Sequence, residues 1–170
     1  MRRSLLVLAV SVVALAYAWT TRGGDEAPGG RGRDLHGRVV RITDGDTIRV
    51  ALGGKLERVR YIGIDTPEEV KPGTPVQCYA RRAAAENARL VAGRQVRLVL
   101  DVEARDRFGR LLAYVYRDDD GLFLNDALVR GGFARTLTIP PNVRYADRFA
   151  RLARQARQAG RGLWSACGAA

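Results

Sequence analysis

Residues 37–64 read GRVVRITDGDTIRVALGGKLERVRYIGI. Three β-branched runs with partial alternation lie in this stretch: Gly37 to Asp44, Thr47 to Leu52 and Lys55 to Ile64. Alternation at a period of two places one face of a strand on a core. Asp44-Gly45-Asp46 is turn chemistry between the first two runs, and Gly53-Gly54 is a two-residue hairpin signal between the last two. The stretch therefore predicts three antiparallel strands in sequence, a meander.

The rest of the chain can be placed around it. A Pro- and Gly-rich loop leads to Gln77–Ala92, an Ala-rich run with helical spacing of Tyr79, Ala83, Asn87, Leu90 and Val91, stopped by Gly93. Two further strands are expected at Arg94–Val102 and Arg110–Tyr116, then a short helix at Leu124–Arg130 ended by Gly131-Gly132. After the breaker Pro140-Pro141, Asn142–Ala159 has Phe149, Leu152, Ala153 and Ala156 at helical spacing. Arg144, Arg148 and Arg151 line another side of it and read as a solvated face. Five strands and three helices give an α+β class, and a small closed barrel of OB type fits that count.

The chain has 170 residues, the length of a single domain, and its 46% hydrophobic content excludes disorder throughout. Lys and Arg number 29 against 18 Asp and Glu, for a net charge of +11. Lys55 and Lys71 are the only lysines. Arginine's planar fork matches phosphate oxygens, so the bias suits a polyanionic partner, although a GC-rich genome gives the same bias.

Arg2 and Arg3 precede an uncharged apolar run, Leu5 to Ala18, that ends in Ala16-Tyr17-Ala18. That is a secretory signal at residues 1–18, cleaved after Ala18; an uncleaved membrane anchor is the alternative. Residues 19–34 are Gly-rich and read as a flexible linker, with the folded domain at 35–167. In an oxidising compartment Cys78 and Cys167 make one possible disulfide, the alternative being two buried thiols. Such a bridge would stabilise by about 4–5 kcal/mol on the chain-entropy model.

Asp44 and Asp46, two apart in an extended segment, point to one face and repel unless a cation or arginines neutralise them. Asp65-Thr66-Pro67-Glu68 follows the third strand and, taken alone, is an ordinary turn. Oxygen ligands without a His or Cys cluster select a hard cation. His36, the sole histidine, falls near the linker and is expected to be exposed. The basic loop Arg105–Arg110 precedes the strand LLAYVY, and Arg60 lies in the strand leading to Asp65. Two arginines near a carboxylate site would form a phosphate clamp.

DGDT at 44–47, RYIGIDTPE at 60–68, DRFGRLLAYVY at 106–116 and NDALVRGGFA at 125–134 occur in that order. Together they resemble the staphylococcal nuclease (thermonuclease) family, over Gly37 to Ser165. The resemblance implies one Ca²⁺, with Mg²⁺ the lesser alternative, held by Asp46, Asp65 and the Thr66 backbone carbonyl, with Asp44 further out through water. It implies Glu68 as general base and Arg60 and Arg110 on the scissile phosphate. It implies a secreted nuclease acting on DNA and RNA, single- or double-stranded, with little sequence preference and leaving 3′-phosphate ends. A monomer without an obligate protein partner is expected, with membrane contact only through an uncleaved N-terminus. The alternative is a non-catalytic OB module that binds nucleic acid. Phe108 stands where the best-known member has a tyrosine, and Thr136–Ile139 lacks the tyrosines that shape the nucleotide pocket there.

One geometric demand follows. Arg60 and Asp65 are five apart, so a straight strand would aim them at opposite faces. A bend around Gly63-Ile64-Asp65 is expected.

Overall fold

Strands β1 (Asp34–Ile42), β2 (Thr47–Leu52) and β3 (Lys55–Tyr61) form the expected antiparallel meander. A computed structural model of the chain describes residues 34–69, 73 and 75–168, all in the unit Gly32–Ala170. The signal and all of the linker but Asp34 lie outside the described residues. Gly53 and Gly54 both have positive φ, 52° and 83°, as the hairpin turn between β2 and β3 requires. The register pairs Val39 with Val50 and Ile48 with Val59, all fully buried, so one face of the meander becomes core.

β3 then pairs parallel with β6 (Leu111–Arg117), which needs a long crossover; helix α1 (Ala80–Val91) and β5 (Gln95–Val99) supply it. β5 pairs antiparallel with both β6 and β1 and closes a five-stranded barrel, β1-β2-β3-β6-β5. The OB-type barrel expected from the strand count is the architecture present. His36 lies within β1, outside the linker region, and meets Asp118 at 3.1 Å while staying largely exposed.

Helix α1 begins at Ala80, three residues later than its composition predicts, because Tyr79 sits in the left-handed region at φ 72°. Helix α2 (Leu124–Arg130) has the bounds expected of it. Helix α3 (Ala146–Gln158) begins four residues after the predicted Asn142. There Asn142 is committed elsewhere: its side chain accepts from the Glu103 N–H and donates to the Glu103 carbonyl, both at 2.8 Å. A one-turn helix, α4 (Leu163–Ala166), follows, and Cys167 beyond it is joined to Cys78 in a disulfide. On α3, Arg148 is drawn onto Asp126 of α2 and Arg144 onto Asp101, so the face expected to be solvated is partly paired. Among the described residues no helix is long and apolar enough to cross a membrane.

The step that matters most for the site is the end of β3. The strand stops at Tyr61, turns at Ile62-Gly63, and restarts as a two-residue strand, β4 (Ile64–Asp65), against β7 (Arg135–Thr136). Gly63 has φ 80°, and a Cβ there would lie 2.5 Å from the Phe149 ring of α3. Gly63→Ala should therefore destabilise by about 2–4 kcal/mol, combining backbone strain with overpacking, as read by urea unfolding. In a Phe149→Leu background the same change should cost measurably less, because the ring is the obstacle. Thiol titration of the unfolded, unreduced protein should find no free cysteine, and two thiols would refute the bridge.

Candidate active site

The Asp44–Asp46 turn and the Asp65–Thr66 segment are brought together because Gly45 has no side chain. A Cβ on Gly45 would sit 2.7 Å from the Thr66 hydroxyl. In that close approach Asp46 Oδ2 accepts from the Thr66 backbone N–H at 2.7 Å and from its hydroxyl at 3.0 Å. Asp46 Oδ1 accepts from the Thr47 hydroxyl at 3.1 Å, and the residue is only 4% exposed. Asp44 Oδ1 in turn accepts from the Asp46 N–H at 3.1 Å.

Arg60 spans the bend. Its Nη1 donates to the carbonyls of Ile64 at 2.8 Å and Tyr61 at 3.1 Å, and lies 3.1 Å from Asp46 Oδ2. Its Nη2 donates to Asp65 Oδ1 at 2.8 Å. With its side chain only 12% exposed, the guanidinium is fixed among two carboxylates and two carbonyls. The expected bend is present, and it is what lets residues five apart meet.

Charge is not balanced there. Burial, followed by the neighbouring Asp46 charge, pushes the Asp44 carboxyl up to about 7. Burial also raises Asp65, with Arg60 opposing it and Asp46 adding to it.

Two buried asparagines support these turns, and sequence reasoning gave neither of them a role. Asn87 of α1 accepts from the Tyr61 hydroxyl at 2.9 Å and donates to the Asp44 carbonyl at 3.0 Å. Asn125 of α2 accepts from the Val115 N–H at 3.0 Å and donates to the Ile62 carbonyl at 2.8 Å. The available signal was a polar amide on an otherwise apolar helical face, since a buried amide persists only when its hydrogen bonds are made.

Arg110 reaches the site from the other side. Asp106 Oδ1 accepts from the N–H groups of Phe108 at 2.9 Å and Arg110 at 3.0 Å, and its Oδ2 accepts from Arg110 Nε at 2.7 Å. Arg60 and Arg110 line one cleft of about 410 Å³, whose walls include apolar Leu112, Leu137, Ile139 and Phe108 and polar Glu103 and Asn142. Phe108 is 58% exposed at its lip, with the Arg107 and Arg110 guanidiniums 4.8 and 5.5 Å from the ring centre. Glu68 is held by its backbone: its N–H donates to Gln77 Oε1 at 2.9 Å, and its carbonyl accepts from the Gln77 N–H at 3.0 Å. Among the described residues no hydrogen bond or ion pair joins the Glu68 carboxylate to Arg60, Asp46 or Asp65.

Residues 58–166 match the family model described as staphylococcal nuclease homologue. A thermonuclease of Staphylococcus hyicus is 35% identical over 163 residues, covering 95% of each chain. A thermonuclease of Staphylococcus intermedius is 37% identical over 163 residues, 94% of this chain and 95% of the relative. The endonuclease YncB of Bacillus subtilis is 40% identical over 130 residues, 75% of this chain and 61% of its own.

The chain belongs to the staphylococcal nuclease family.

Within that family a metal is implied, and the donors of this member can be judged for it. They are oxygens only, the carboxylates of Asp44, Asp46 and Asp65, with Asp44 pushed up to about 7 by burial first and by the Asp46 charge second. That is the chemistry of a hard divalent cation site. Among the described residues no three His, Cys, Asp or Glu side chains already surround a common point. Arg60 stands against two of the three instead. The donors of this nuclease-family chain thus fit a cation in kind.

Asp106 is the part of the site with a clear pH signature. Burial pushes its carboxyl up, but the hydrogen bonds and charge of Arg110 prevail and hold it below its ordinary 3.8. A depressed acid contributes stability above its unfolded value, lost as pH falls through the folded one. The stability difference between wild type and Asp106→Asn should be constant well above pH 3.8 and shrink at more acid pH. Its plateau should be about 1 kcal/mol for this part-buried pair, measured by denaturant unfolding across pH.

Proposed function

We propose that this chain, a nuclease by family, hydrolyses phosphodiester bonds of DNA and RNA in a Ca²⁺-dependent reaction with little sequence preference, leaving 3′-phosphate ends. The observation that carries the reading is Arg60. It is pinned between Asp46 and Asp65 and opens onto the cleft it shares with Arg110.

In this reading Arg60 and Arg110 receive the two non-bridging oxygens of the scissile phosphate, where negative charge grows in the transition state. Both guanidiniums are set beforehand, Arg60 by the Tyr61 and Ile64 carbonyls and Arg110 by Asp106, so neither has to be ordered during the reaction. Asp46, Asp65 and the Thr66 carbonyl would hold the cation, with Asp44 acting through water. When bound, the cation supplies positive charge at the phosphate and favours deprotonation of water. Glu68 takes the proton of the attacking water as general base. Water adds to phosphorus, the P–O5′ bond breaks, and O5′ leaves as a hydroxyl after gaining a proton from solvent. Glu68 keeps the proton of the attacking water until it is released to solvent. The apolar wall of Phe108, Leu137 and Ile139 offers a nucleobase surface contact without hydrogen-bonded readout, in keeping with low sequence preference.

The same reading includes export. Residues 1–18 act as a secretory signal, 19–34 as a linker and 35–167 as the nuclease domain, which works outside the cell as a monomer. Retention at the membrane through an uncleaved N-terminus is the alternative location. A binding module without catalysis would have no use for Asp46, Asp65, Glu68, Arg60 and Arg110 together, and this chain keeps all five.

The test is cleavage of single-stranded DNA by wild type with Ca²⁺, by wild type with a chelator, and by Glu68→Gln with Ca²⁺. Loss of a general base should slow cleavage by about a hundred- to ten-thousand-fold. Wild-type rates in the variant would remove Glu68 from the mechanism, and full activity under chelator would remove the cation.

A further inference from the structure

The outer face of the meander carries a second arginine constellation that the reaction above does not use. In the register of β1 and β2, Arg41 lies directly opposite Arg49, and in that of β2 and β3, Arg49 lies directly opposite Arg58. Directly opposed residues share a face, so three guanidiniums stand in one row across three strands, about 10 Å from first to last by strand spacing. Like charges opposite one another destabilise a sheet. Acidic partners do not offset this row: among the described residues the side chains of Arg41 and Arg49 form no hydrogen bond or ion pair. Two other arginines at the barrel surface are paired with acids, Arg97 with Asp34 and Arg105 with Glu57.

The fold makes a specific accommodation for this row. Val39 faces the core, so plain alternation would turn Arg41 inward as well. A β-bulge between Val39 and Arg41 adds one residue, Val40, and returns Arg41 to the outer face opposite Arg49. Bulges that re-aim a side chain are common beside functional sites.

The row ends at the cleft. Arg58 donates through Nη2 to the Phe108 carbonyl at 3.1 Å, in the loop that carries Arg107 and Arg110. Arg60, two residues on, leaves β3 on the same face about 7 Å away. A strand seated at Arg60 and Arg110 thus has three unneutralised cations beside it as it leaves the cleft.

We propose that Arg41, Arg49 and Arg58 form a phosphate-binding row that holds the backbone of a polynucleotide outside the cleft where cleavage occurs. The proposal rests on the nuclease reading and adds where the uncleaved part of the substrate lies. Its contacts are to phosphates, so the row favours long substrates over short ones without favouring any sequence.

The experiment compares wild type, the double variant R41Q/R49Q and the control R151Q/R154Q, which removes two exposed arginines from α3 instead. Each is given Ca²⁺ and two substrates over a range of salt: a thymidine dinucleotide, too short to reach the row, and an oligothymidylate that spans it. R41Q/R49Q should raise KM for the oligothymidylate about tenfold near 0.1 M salt and flatten its log–log salt dependence by about 0.7 per arginine removed. Its dinucleotide parameters and its kcat should stay at wild-type values. Its melting temperature should not fall, since a like-charge pair has been removed. An unchanged oligothymidylate KM and salt slope, or an equal loss in R151Q/R154Q, overturns the row while leaving catalysis standing. A wild type that cleaves neither substrate overturns the nuclease reading and the row with it. Repeating the series on duplex DNA, where the slope per contact is about 0.9, tells which form of nucleic acid the row holds.

Discussion

The site depends on one backbone constraint, the turn at Ile62-Gly63. A continuous β3 would run Arg60 and Asp65 to opposite faces and carry Thr66 away from Asp46. The positive φ of Gly63, the Phe149 ring seated where a Cβ would be, and the Asn125 amide on the Ile62 carbonyl force the chain to turn there. Once it turns, Arg60 can donate to the Ile64 carbonyl and to Asp65, and Thr66 can close on Asp46. Helix α3, which supplies Phe149, and α2, which supplies Asn125, are thus part of the site without touching the cluster of acids.

Electrostatics within that frame are unfinished in a useful way. Asp46 and Asp65 share one buried guanidinium, and burial, followed by the Asp46 charge, pushes the Asp44 carboxyl up to about 7. On the other side of the cleft Asp106 holds Arg110 through its Nε, while Arg107 beside it has no acidic partner among the described residues. The acid side is prepared for added positive charge, and the arginine side for added negative charge. A phosphodiester brought between them meets both conditions.

The five barrel strands, the Gly-Gly hairpin and α2 were legible because they rest on local rules, alternation, turn residues and helical spacing; the short β4–β7 pair was not. The need for a bend was legible too, since five is an odd spacing and strands alternate. Less local features were not. Asn142 opens the run expected to be helical, yet it clamps Glu103 and so sets the wall of the cleft, and α3 starts at Ala146 instead. Tyr79 takes a left-handed conformation that its composition gives no reason to expect. Asn87 and Asn125 were given no role because their partners lie on other elements or on backbone whose path was unknown.

By itself the sequence determined the class of fold, the identity of the acids and arginines, and their order along the chain. Those depend on side-chain chemistry and on short-range periodicity, which any window of residues displays. Only the tertiary structure decided which carboxylates share Arg60, that Arg60 and Arg110 open on one cleft, and that Arg41, Arg49 and Arg58 stand in register. Each of these is fixed by barrel closure, by one bulge or by a turn packed against a distant helix. Such contacts form between residues far apart in sequence, where no local pattern records them.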